Sequence, residues 1–413
     1  MTLERQRDTH RMISPDVRRL LWARGLRAFA DGYVSLLLPL YLLTLGLTPF
    51  QIGVIATGTL LGSGLLTLGV GLQAYRFRYR TLLIAATALM VATGLGFAVV
   101  TDFWPLLIIA VVGTLNPSSG DVSVFLPLEQ AVLAHVVADR KRTAIFARYS
   151  LVGALVGAVG ALFAGLPQLV TETIAIGAKA AMQAMFVLYG LLGLTAGLIY
   201  ARLPATLAAG STIATAPLRE SKRIVYTLAA LFSLDAFGGG FIVQSLLALW
   251  LFQRFQFSIV TAGTIFFWTG VLSAFSYLVA VRIANRIGLV NTMVFTHLPA
   301  NLLLLVIPLV PDPTWVIVLL LVRAALSQMD VPTRSSYVMA VVSPAERAAA
   351  ASITSVPRSL ASAASPLFAG YLLGVSTFGW PLVIAGGLKI GYDLLLLATF
   401  RKVRPPEEAA TRG

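Results

Sequence analysis

Apolar stretches of about 20 residues or more recur along the whole chain, and short segments with turn-forming or charged residues separate them. A helix needs about 20 apolar residues to cross the ~30 Å hydrocarbon core of a bilayer. Twelve stretches meet this length, and they lie at about 21–45, 51–74, 81–101, 104–136, 143–166, 180–202, 224–251, 258–281, 290–310, 314–342, 349–374 and 379–400. The pattern predicts an all-α, polytopic membrane protein with 12 transmembrane helices in two six-helix bundles.

The fourth and tenth stretches are longer than the others, and each contains a proline, Pro117 or Pro332. Proline removes a backbone hydrogen bond and clashes with the preceding turn, so it kinks or ends a helix. We expect each proline to kink its helix or to mark the inner end of that helix.

The composition agrees with a membrane protein and excludes two other classes. Charged residues make up 12% of the 413 residues and hydrophobic residues 58%, and the mean hydropathy is +0.86. A soluble protein carries about 25% charged residues, so an ordinary soluble enzyme is excluded, and so is a disordered chain. The net charge of +14 is better explained by cytoplasmic membrane loops than by a nucleic-acid partner.

Basic residues lie in alternate junctions between the predicted spans. If the N-terminus is inside, the inner junctions and the C-terminal segment carry Arg76, Arg78, Arg80, Arg140, Lys141, Arg142, Arg219, Lys222, Arg223, Arg282, Arg286, Arg347, Arg401, Lys402 and Arg404. The outer junctions carry only Lys179 and Arg254. The positive-inside rule therefore predicts that both termini are cytoplasmic, and we expect the protein to lie in the cell (inner) membrane. The arginine-rich segment before residue 21 lacks the pattern of a cleavable signal peptide, so we expect the first span to act as an uncleaved anchor.

Several kinds of chemistry have no residues to support them. The chain contains no cysteine, and its three histidines, His10, His135 and His297, lack the spacing of metal ligands. No phosphate-binding loop of the G-x-x-x-x-G-K-[ST] type occurs. We expect no metal, no cofactor and no enzymatic activity, and we expect each histidine to have a surface or packing role.

The longest polar break falls after the sixth span and divides the chain into two halves. We expect a cytoplasmic N-terminal tail at 1–20, a first bundle at 21–202, a linker at 203–222, a second bundle at 223–400 and a C-terminal tail at 401–413.

The two halves also match each other at an offset of 205. Residues 127–165, which include Pro127, Arg142 and the run Leu162-Phe163-Ala164-Gly165, fall without a gap on 332–370, which include Pro332, Arg347 and Leu367-Phe368-Ala369-Gly370. Near an offset of 210, Gly53 matches Gly263 and Arg76 matches Arg286. The repeat predicts two pseudo-symmetric bundles with a site between them near the midplane.

The segment Ala284-Asn285-Arg286-Ile287-Gly288, after the eighth span, resembles the Asp-Arg-x-Gly loop signature of the major facilitator superfamily. Its counterpart after the second span, which ends in Ala74-Tyr75-Arg76, is more degenerate. Tyr75 and Asn285 stand where the signature has its acid, so the chain departs from the family pattern there. The resemblance covers the span count, the two halves and the loop placement. It implies a transporter that works by alternating access, with the substrate cavity between the halves.

Ionisable residues inside the predicted spans are the main candidates for function. Each costs about 2.5–3.5 kcal/mol at the bilayer centre on insertion scales, so each should face protein or water and have a partner. The candidate substrate or proton site consists of Arg27, Asp31, Asn116, Asp121, Asp235, Gln244, Arg323 and Arg358.

Two of these acids lie at similar depths in the first spans of the two halves. Asp31 lies one helical turn from Arg27, which predicts either a self-contained structural ion pair or a functional acid tuned by the arginine. Asp235 has no basic residue nearby in its own span, so it either finds a partner on another helix or is protonated during part of the cycle. Lys389 and Asp393, also one turn apart in the last span, are expected to form a structural pair.

A second set of residues is predicted to form a gate or to line the boundary between the halves. The repeat places Glu129 on Arg334, because 129 + 205 = 334. Opposite charges at equivalent positions predict an inner gate made by these two residues when the cavity opens outward. The alternative is that each residue pairs within its own half, for instance Arg334 with Asp330. The set also includes Arg76, Asn285, Arg286, Arg142 and Arg347.

These patterns predict a secondary transporter that moves a small solute, with protons as a candidate coupling ion. Export of drugs or metabolites coupled to protons and facilitative uniport both stay open. A lipid scramblase or an intramembrane enzyme on the same fold is the alternative from a different class. The expected partners are the small-molecule substrate and the lipid bilayer, and we expect a monomer that binds no nucleic acid.

Overall fold

The computed structural model describes residues 14–73, 77–118, 123–137, 139–173, 176–204, 221–343 and 346–401. Every regular element in these ranges is helical, and no strand occurs in them. The α-helices, in chain order, are α1 Pro15–Thr44, α2 Pro49–Gln73, α3 Tyr79–Val99, α4 Phe103–Val112, α5 Phe125–Val136, α6 Asp139–Phe163, α7 Leu166–Thr173, α8 Ala178–Tyr200, α9 Lys222–Gly240, α10 Gln244–Phe255, α11 Ile259–Ile287, α12 Leu289–Val306, α13 Pro313–Ser327, α14 Asp330–Val341, α15 Arg347–Val375 and α16 Trp380–Phe400. The all-α fold predicted from the apolar pattern is therefore confirmed.

The helices are long and apolar enough for a membrane protein. Nine segments within the described residues could each cross a bilayer, and one of them, Lys222–Phe255, joins α9 and α10. The fourth and tenth predicted spans are each built from two shorter helices, and α15 is not among the nine. All twelve predicted spans are helical, while their number as membrane crossings stays a prediction. Large apolar side chains such as Trp22, Val99 and Trp104 are exposed on the outside of the molecule, as a lipid-facing surface requires.

The first helix starts earlier than predicted. It begins at Pro15, inside the segment that we expected to be a tail. The Ser14 hydroxyl accepts a hydrogen bond from the backbone N–H of Val17 at 3.3 Å, and a proline follows at the first helical position. A serine cap followed by proline is a strong start signal for a helix. Most of the predicted linker and of both tails lies outside the described residues.

The fourth and tenth spans break at equivalent places. Helices α5 and α14 begin at 125 and 330 and end at 136 and 341, so both bounds differ by 205. Pro127 and Pro332 are therefore each the third residue of their helix, where the missing N–H has no intrahelical partner to lose. The expected effect of Pro332 is corrected accordingly, because the chain breaks before this residue and it lies in the first turn of the new helix. Pro117 lies in the break between α4 and α5, as expected of a helix-ending proline.

The seventh span also breaks, which the apolar pattern did not predict. Helix α9 ends in Gly238-Gly239-Gly240, and α10 starts at Gln244. Glycine is a poor helix former because it loses more backbone entropy than other residues. Gly240 also lies against α15, where a Cβ atom would come within 2.0 Å of Ser365 Oγ. The run of glycines thus allows both the break and the close packing.

We call the face at which α1 begins and α16 ends the terminal face. On the opposite face, two equivalent contacts join the halves. A Cβ atom on Gly53 of α2 would lie 2.6 Å from the carbonyl oxygen of Pro366 on α15, and one on Gly263 of α11 would lie 2.6 Å from the carbonyl oxygen of Ala161 on α6. Because 263 − 53 = 210 and 366 − 161 = 205, these are the same contact made twice by the two repeats. Only glycine allows backbones to approach this closely.

Candidate functional site

Glu129 is the centre of a buried polar network in the first half. It is 0% exposed, and it lies on α5 just beyond the break in the fourth span. Its carboxylate accepts hydrogen bonds from Arg27 of α1, from Tyr149 of α6 and, at 2.6 Å, from Tyr200 of α8. Three hydroxyl or guanidinium donors therefore satisfy one buried carboxylate. Such complete satisfaction is what allows an ion pair to be buried without a large desolvation penalty.

Arg27 is held from two further directions. Its Nε donates to the Tyr200 hydroxyl at 3.1 Å, and its guanidinium lies over the ring of Phe125 with 4.1 Å between the guanidinium carbon and the ring centroid. Of the two readings of Arg27 and Asp31, the self-contained ion pair is not formed, because the arginine binds Glu129 on another helix. Glu129 offers a carboxylate that three helices surround, whereas Asp31 lies one turn away along α1 itself.

Asp31 and Arg24 are buried charged residues of this half that make no hydrogen bond among the described residues. Asp31 is 5% exposed and Arg24 6% exposed. The Arg24 Nε and Nη1 atoms are buried and make no hydrogen bond, while its guanidinium lies 5.1 Å from the Tyr149 ring centroid. The two residues are seven positions apart on α1, about 10 Å along the helix axis, so they share one face. Hydrogen bonds within the described residues therefore do not occupy the Asp31 carboxylate or these two guanidinium atoms.

Asp235 of α9 is the centre of the network in the second half. It accepts hydrogen bonds from Lys389 of α16 at 2.7 Å and from Arg334 of α14 at 2.9 Å. Arg334 also pairs with Asp330, one turn earlier on α14, and its guanidinium lies 5.0 Å from the Phe232 ring centroid. The lone acid in the seventh span therefore finds its partners on other helices, which is one of the two outcomes expected for it.

His297 of α12 connects this network to a second acid. Its Nδ1 lies 2.9 Å from Asp393 Oδ1, and its Nε2 lies 3.9 Å from Asp235 Oδ1. Asn301, one turn further along α12, donates to the other Asp393 oxygen at 2.8 Å. The expected pair between Lys389 and Asp393 is wrong, because Lys389 turns to Asp235 and Asp393 is bound by His297 and Asn301. Residues one turn apart on a helix share a face, but a carboxylate on a neighbouring helix can lie closer.

The predicted gate pair, Glu129 with Arg334, is not formed in this structure. Each residue binds within its own half, and the alternative pair of Arg334 with Asp330 is present. The physical reason is that each half offers an opposite charge on its own first span. In the first half the base is on the first span (Arg27) and the acid on the fourth, whereas in the second half the acid is on the seventh span (Asp235) and the base on the tenth. The two ion pairs join equivalent spans of the two halves and are reversed in polarity.

The broken helices bring two other predicted site residues close to the boundary between the halves. The backbone N–H of Ser245, at the start of α10, donates to the carbonyl oxygen of Pro117, in the break of the fourth span, at 3.1 Å. Asn116 and Gln244 are the chain neighbours of these two residues. Asn116 is 1% exposed, and its side-chain oxygen accepts from Ser118, while Gln244 is half-buried.

The remaining predicted residues are more scattered. Arg323 on α13 is half-buried, and its Nε makes no hydrogen bond within the part of the chain that the structure describes. Arg358 on α15 is half-buried, and Arg286 is exposed near the end of α11. Asp121 and Arg76 lie outside the described residues, as do the side chains of Arg142, Asn285 and Arg347.

The sequence reading missed five residues of the two networks, and one signal could have found most of them. They are Arg24, Tyr149, Tyr200, His297 and Asn301. All five lie inside or beside apolar stretches and carry a polar group, and a buried hydroxyl, amide or imidazole must find a hydrogen-bond partner. The absence of metal-ligand spacing predicted only a surface or packing role for His297. Spacing along the chain says nothing about partners on other helices.

Comparison with known proteins agrees with this architecture. The family model of the Major Facilitator Superfamily matches residues 20–328 and 236–413. A membrane protein of Saccharomyces cerevisiae, named as uncharacterized, is 25% identical and covers 92% of this chain and 93% of its own length. Similar solved structures include a mutant of the nucleoside transporter NupG (TM-score 0.76, 15% identity, 93% of this chain and 100% of that one) and a D-xylose-proton symporter (TM-score 0.73, 15% identity, 94% and 98%). A bacterial homolog of the human lysosomal transporter Spinster, in an inward-facing and unoccupied conformation, gives a TM-score of 0.71 at 13% identity and covers 94% and 96%.

The fold, the internal repeat and the family match define the class of this protein. It is a multi-pass integral membrane protein with a transporter fold. The chain belongs to the Major Facilitator Superfamily, as the loop signature around Arg286 suggested.

Proposed function

We propose that this protein is a secondary transporter that carries a small solute across the membrane by alternating access of its two halves. The observation that supports the proposal is the difference between the two faces. At the opposite face the halves meet through the paired backbone contacts of Gly53 and Gly263. Toward the terminal face, Glu129 and Arg334 each bind within their own half. The halves are thus held together at one face by contacts that a rocking motion can separate.

We infer that the state described opens toward the terminal face, because the paired glycine contacts hold the halves together at the opposite face. By the positive-inside rule we assign this face to the cytoplasm of the cell (inner) membrane, with both termini cytoplasmic. The similarity to the Spinster homolog captured in an inward-facing conformation supports this assignment. The transporter is proposed to act as a monomer with twelve membrane spans and without a nucleic-acid partner. The two bundles, 21–202 and 223–400, are proposed to move as the two rocking units.

We place the solute site at the midplane, where the broken fourth and seventh spans meet. The hydrogen bond from Ser245 to Pro117 crosses the boundary at this depth and brings Asn116 and Gln244 to it. Asp31 and Arg24 add a negative and a positive group that have no hydrogen-bonding partner among the described residues. Arg323 and Arg358 are the cationic candidates of the second half. A solute that carries both an acidic and a basic group fits this set, and relatives of the fold transport nucleosides and xylose.

A disulfide lock tests alternating access directly, because the chain has no cysteine of its own. A Cβ atom on Gly374 of α15 would lie 3.9 Å from Pro49 Cβ of α2, close to the ~3.8 Å typical of a disulfide. Pro49→Cys with Gly374→Cys therefore joins the halves at the opposite face. The control, Thr87→Cys with Gly197→Cys, joins α3 and α8 within one half, where the corresponding distance is 3.4 Å.

The measurement is counterflow in proteoliposomes with solutes chosen by a thermal-shift screen of nucleosides, sugars, amino acids and organic acids. Saturable exchange that oxidation stops in the lock variant, that a reductant restores, and that continues in the oxidised control supports the proposal. Exchange that continues in the fully oxidised lock variant would overturn alternating access. Fluorescent-lipid movement in the same vesicles, without flux of any solute, would replace the transporter with a scramblase.

A further inference from the structure

The network around Asp235 contains more acids than permanent cations. Its acids are Asp235, Asp330 and Asp393, its permanent cations are Arg334 and Lys389, and His297 lies between the acids. All six are buried, with exposures between 0% and 8%. With a neutral histidine the network carries one negative charge, and with a protonated histidine it carries none.

An unbalanced charge in this position is costly. Taking an ion out of water costs several kcal/mol even after the protein relaxes, and only a nearby opposite charge compensates for it. The first half contains equal numbers of buried charges, Arg24 and Arg27 against Asp31 and Glu129. The second half reaches the same balance only when it binds one proton.

The contacts show where the proton is held. Asp235 and Asp330 are each bound by a permanent cation, Lys389 or Arg334. Asp393 has no lysine or arginine within 4.0 Å among the described residues, and its partners are His297 and Asn301. Both ring nitrogens of His297 face a carboxylate, Asp393 within hydrogen-bond distance at 2.9 Å and Asp235 within ion-pair distance at 3.9 Å. Asn301 Nδ2, which donates to Asp393 Oδ2, lies 3.1 Å from the ring nitrogen Nδ1. An imidazolium presents an N–H to both carboxylates, whereas a neutral ring presents one to only one of them.

The groups that face the histidine come from four helices. Asp235 is on α9, Arg334 and Asp330 are on α14, and Lys389, Asp393 and Tyr392 are on α16, while Asn301 shares α12 with His297. The Tyr392 ring lies 6.1 Å from the imidazole, and its hydroxyl has no hydrogen-bond partner in the described residues. Proton release from His297 would therefore change the net charge around Asp235. It would also change how strongly the network binds Arg334 and Lys389.

We propose that His297, as an imidazolium between Asp393 and Asp235, is an exchangeable proton-binding site whose loading is coupled to the transport cycle. The coupling rests on the proposed function, whereas the proton site itself does not. The site differs from the acids that the sequence favoured as proton carriers, because Asp235 is held by two permanent cations. The proton reaches and leaves the histidine without any other chemical change, so the step needs no co-reactant.

Nuclear magnetic resonance of ¹⁵N-labelled histidine tests the site without transport. The chain has three histidines, so His10→Gln with His135→Gln leaves His297 alone. In lipid nanodiscs at pH 7 we expect the shifts of a doubly protonated ring. Asp393→Asn keeps the shape of the side chain and leaves two acids against two cations, and there we expect a neutral ring. A neutral ring in the parent protein at pH 7, or a doubly protonated ring in Asp393→Asn, would overturn the proposal.

Transport tests the coupling. In proteoliposomes the parent protein should accumulate its solute several-fold when a pH gradient is imposed. Asp393→Asn should lose that accumulation by a larger factor than it loses counterflow exchange, because its network is neutral without a proton. Glu172→Gln, an exposed acid at the end of α7, should behave like the parent. Accumulation by Asp393→Asn equal to the parent's would overturn the coupling. Absence of counterflow in the parent would contradict the proposed function and not the proton site, because the resonance measurement of His297 does not depend on transport.

Discussion

Glu129 and Arg334 occupy equivalent positions in the two repeats and carry opposite charges, and each forms a buried ion pair with the first helix of its own half. Glu129 binds Arg27 of α1, and Arg334 binds Asp235 of α9. The two halves therefore use the same attachment between the first and fourth spans of each half, with the polarity exchanged. In both cases the attached helix, α5 or α14, is the short segment that follows a break. The ion pair anchors a helix that the break has separated from the rest of its span.

The exchanged polarity makes a charge-reversal experiment decisive. We expect Glu129→Arg combined with Arg334→Glu to transport no better than either single variant. In the double variant, arginine at 129 faces Arg27 and glutamate at 334 faces Asp235 and Asp330, so each half has buried like charges. Removing one partner of a buried pair typically costs about 3–5 kcal/mol. The measurement is counterflow together with the yield of folded protein by size exclusion.

The matched control reverses charges within one half. Arg27→Glu combined with Glu129→Arg places the acid on α1 and the base on α5, which is the arrangement of the second half. We expect it to recover folded yield relative to Arg27→Glu alone. The contrary outcome is that Glu129→Arg with Arg334→Glu recovers folded yield while Arg27→Glu with Glu129→Arg does not. That outcome would show that the ion pairs described here do not support the fold.

Much of the fold could be predicted from the sequence because membrane helices follow simple rules. The lengths of the apolar stretches predicted the helices. The internal repeat predicted that 125–136 (α5) and 330–341 (α14) are equivalent. The break in the seventh span was missed because Gly238-Gly239-Gly240 lies in an otherwise apolar stretch, where hydropathy stays high. The repeat also identified Glu129 and Arg334 as a related pair, although it could not say that each would pair within its half.

The site was harder to predict because its partners lie far apart in the sequence. Asp235 and Lys389 are 154 positions apart, and His297 and Asp393 are 96 positions apart. Spacing along a helix suggested Arg27 with Asp31 and Lys389 with Asp393, since only neighbours within a span are visible in the sequence. Which helices lie side by side decides the real partners, and that depends on the packing of the whole half.

The two competing partners of Lys389 are distinguished by a double-mutant cycle. We expect Lys389→Met and Asp235→Asn to be coupled by about 1 kcal/mol or more, because their charges meet at 2.7 Å. Lys389→Met and Asp393→Asn should be more nearly additive, since these side chains do not contact each other. The measurement is thermal or denaturant stability of the four proteins of each cycle in detergent. Stronger coupling of Lys389 to Asp393 than to Asp235 would contradict the structure.

Gly240 and Gly239 allow a matched test of the break in the seventh span. A Cβ atom on Gly240 would come within 2.0 Å of Ser365 Oγ and 2.3 Å of the Ser362 carbonyl oxygen, whereas one on Gly239 would be 3.7 Å from its nearest neighbour, Lys389 Nζ. We expect Gly240→Ala to destabilise the protein by about 1–3 kcal/mol, as overpacking does. Gly239→Ala should be within about 1 kcal/mol of the parent. Equal melting temperatures for the two variants would be inconsistent with this packing.

The paired contacts at the opposite face predict how glycine substitutions shift the conformational equilibrium. In the state described, alanine at Gly53 or Gly263 would place a Cβ atom 2.6 Å from a backbone oxygen of the other half. Real Cβ atoms essentially never come closer than 3.0 Å, so the halves must move apart there. A rocking motion that opens the opposite face closes the terminal face. We expect Gly53→Ala with Gly263→Ala to favour the state that is closed at the terminal face.

Spin labels can measure this shift without removing any native thiol, because the chain has no cysteine. Phe77 and Ile287 are 47% and 39% exposed, lie toward the terminal face in different halves, and are equivalent in the repeat because 287 − 77 = 210. We expect the distance between labels on Phe77→Cys and Ile287→Cys to shorten in the glycine double variant. Gly64→Ala, on the same helix as Gly53 but with no atom within 4 Å of the new Cβ, should leave the distance unchanged. An unchanged label distance in the double variant would mean that the Gly53 and Gly263 contacts do not hold the halves in this state. A changed distance in Gly64→Ala would mean that the shift is not specific to these contacts.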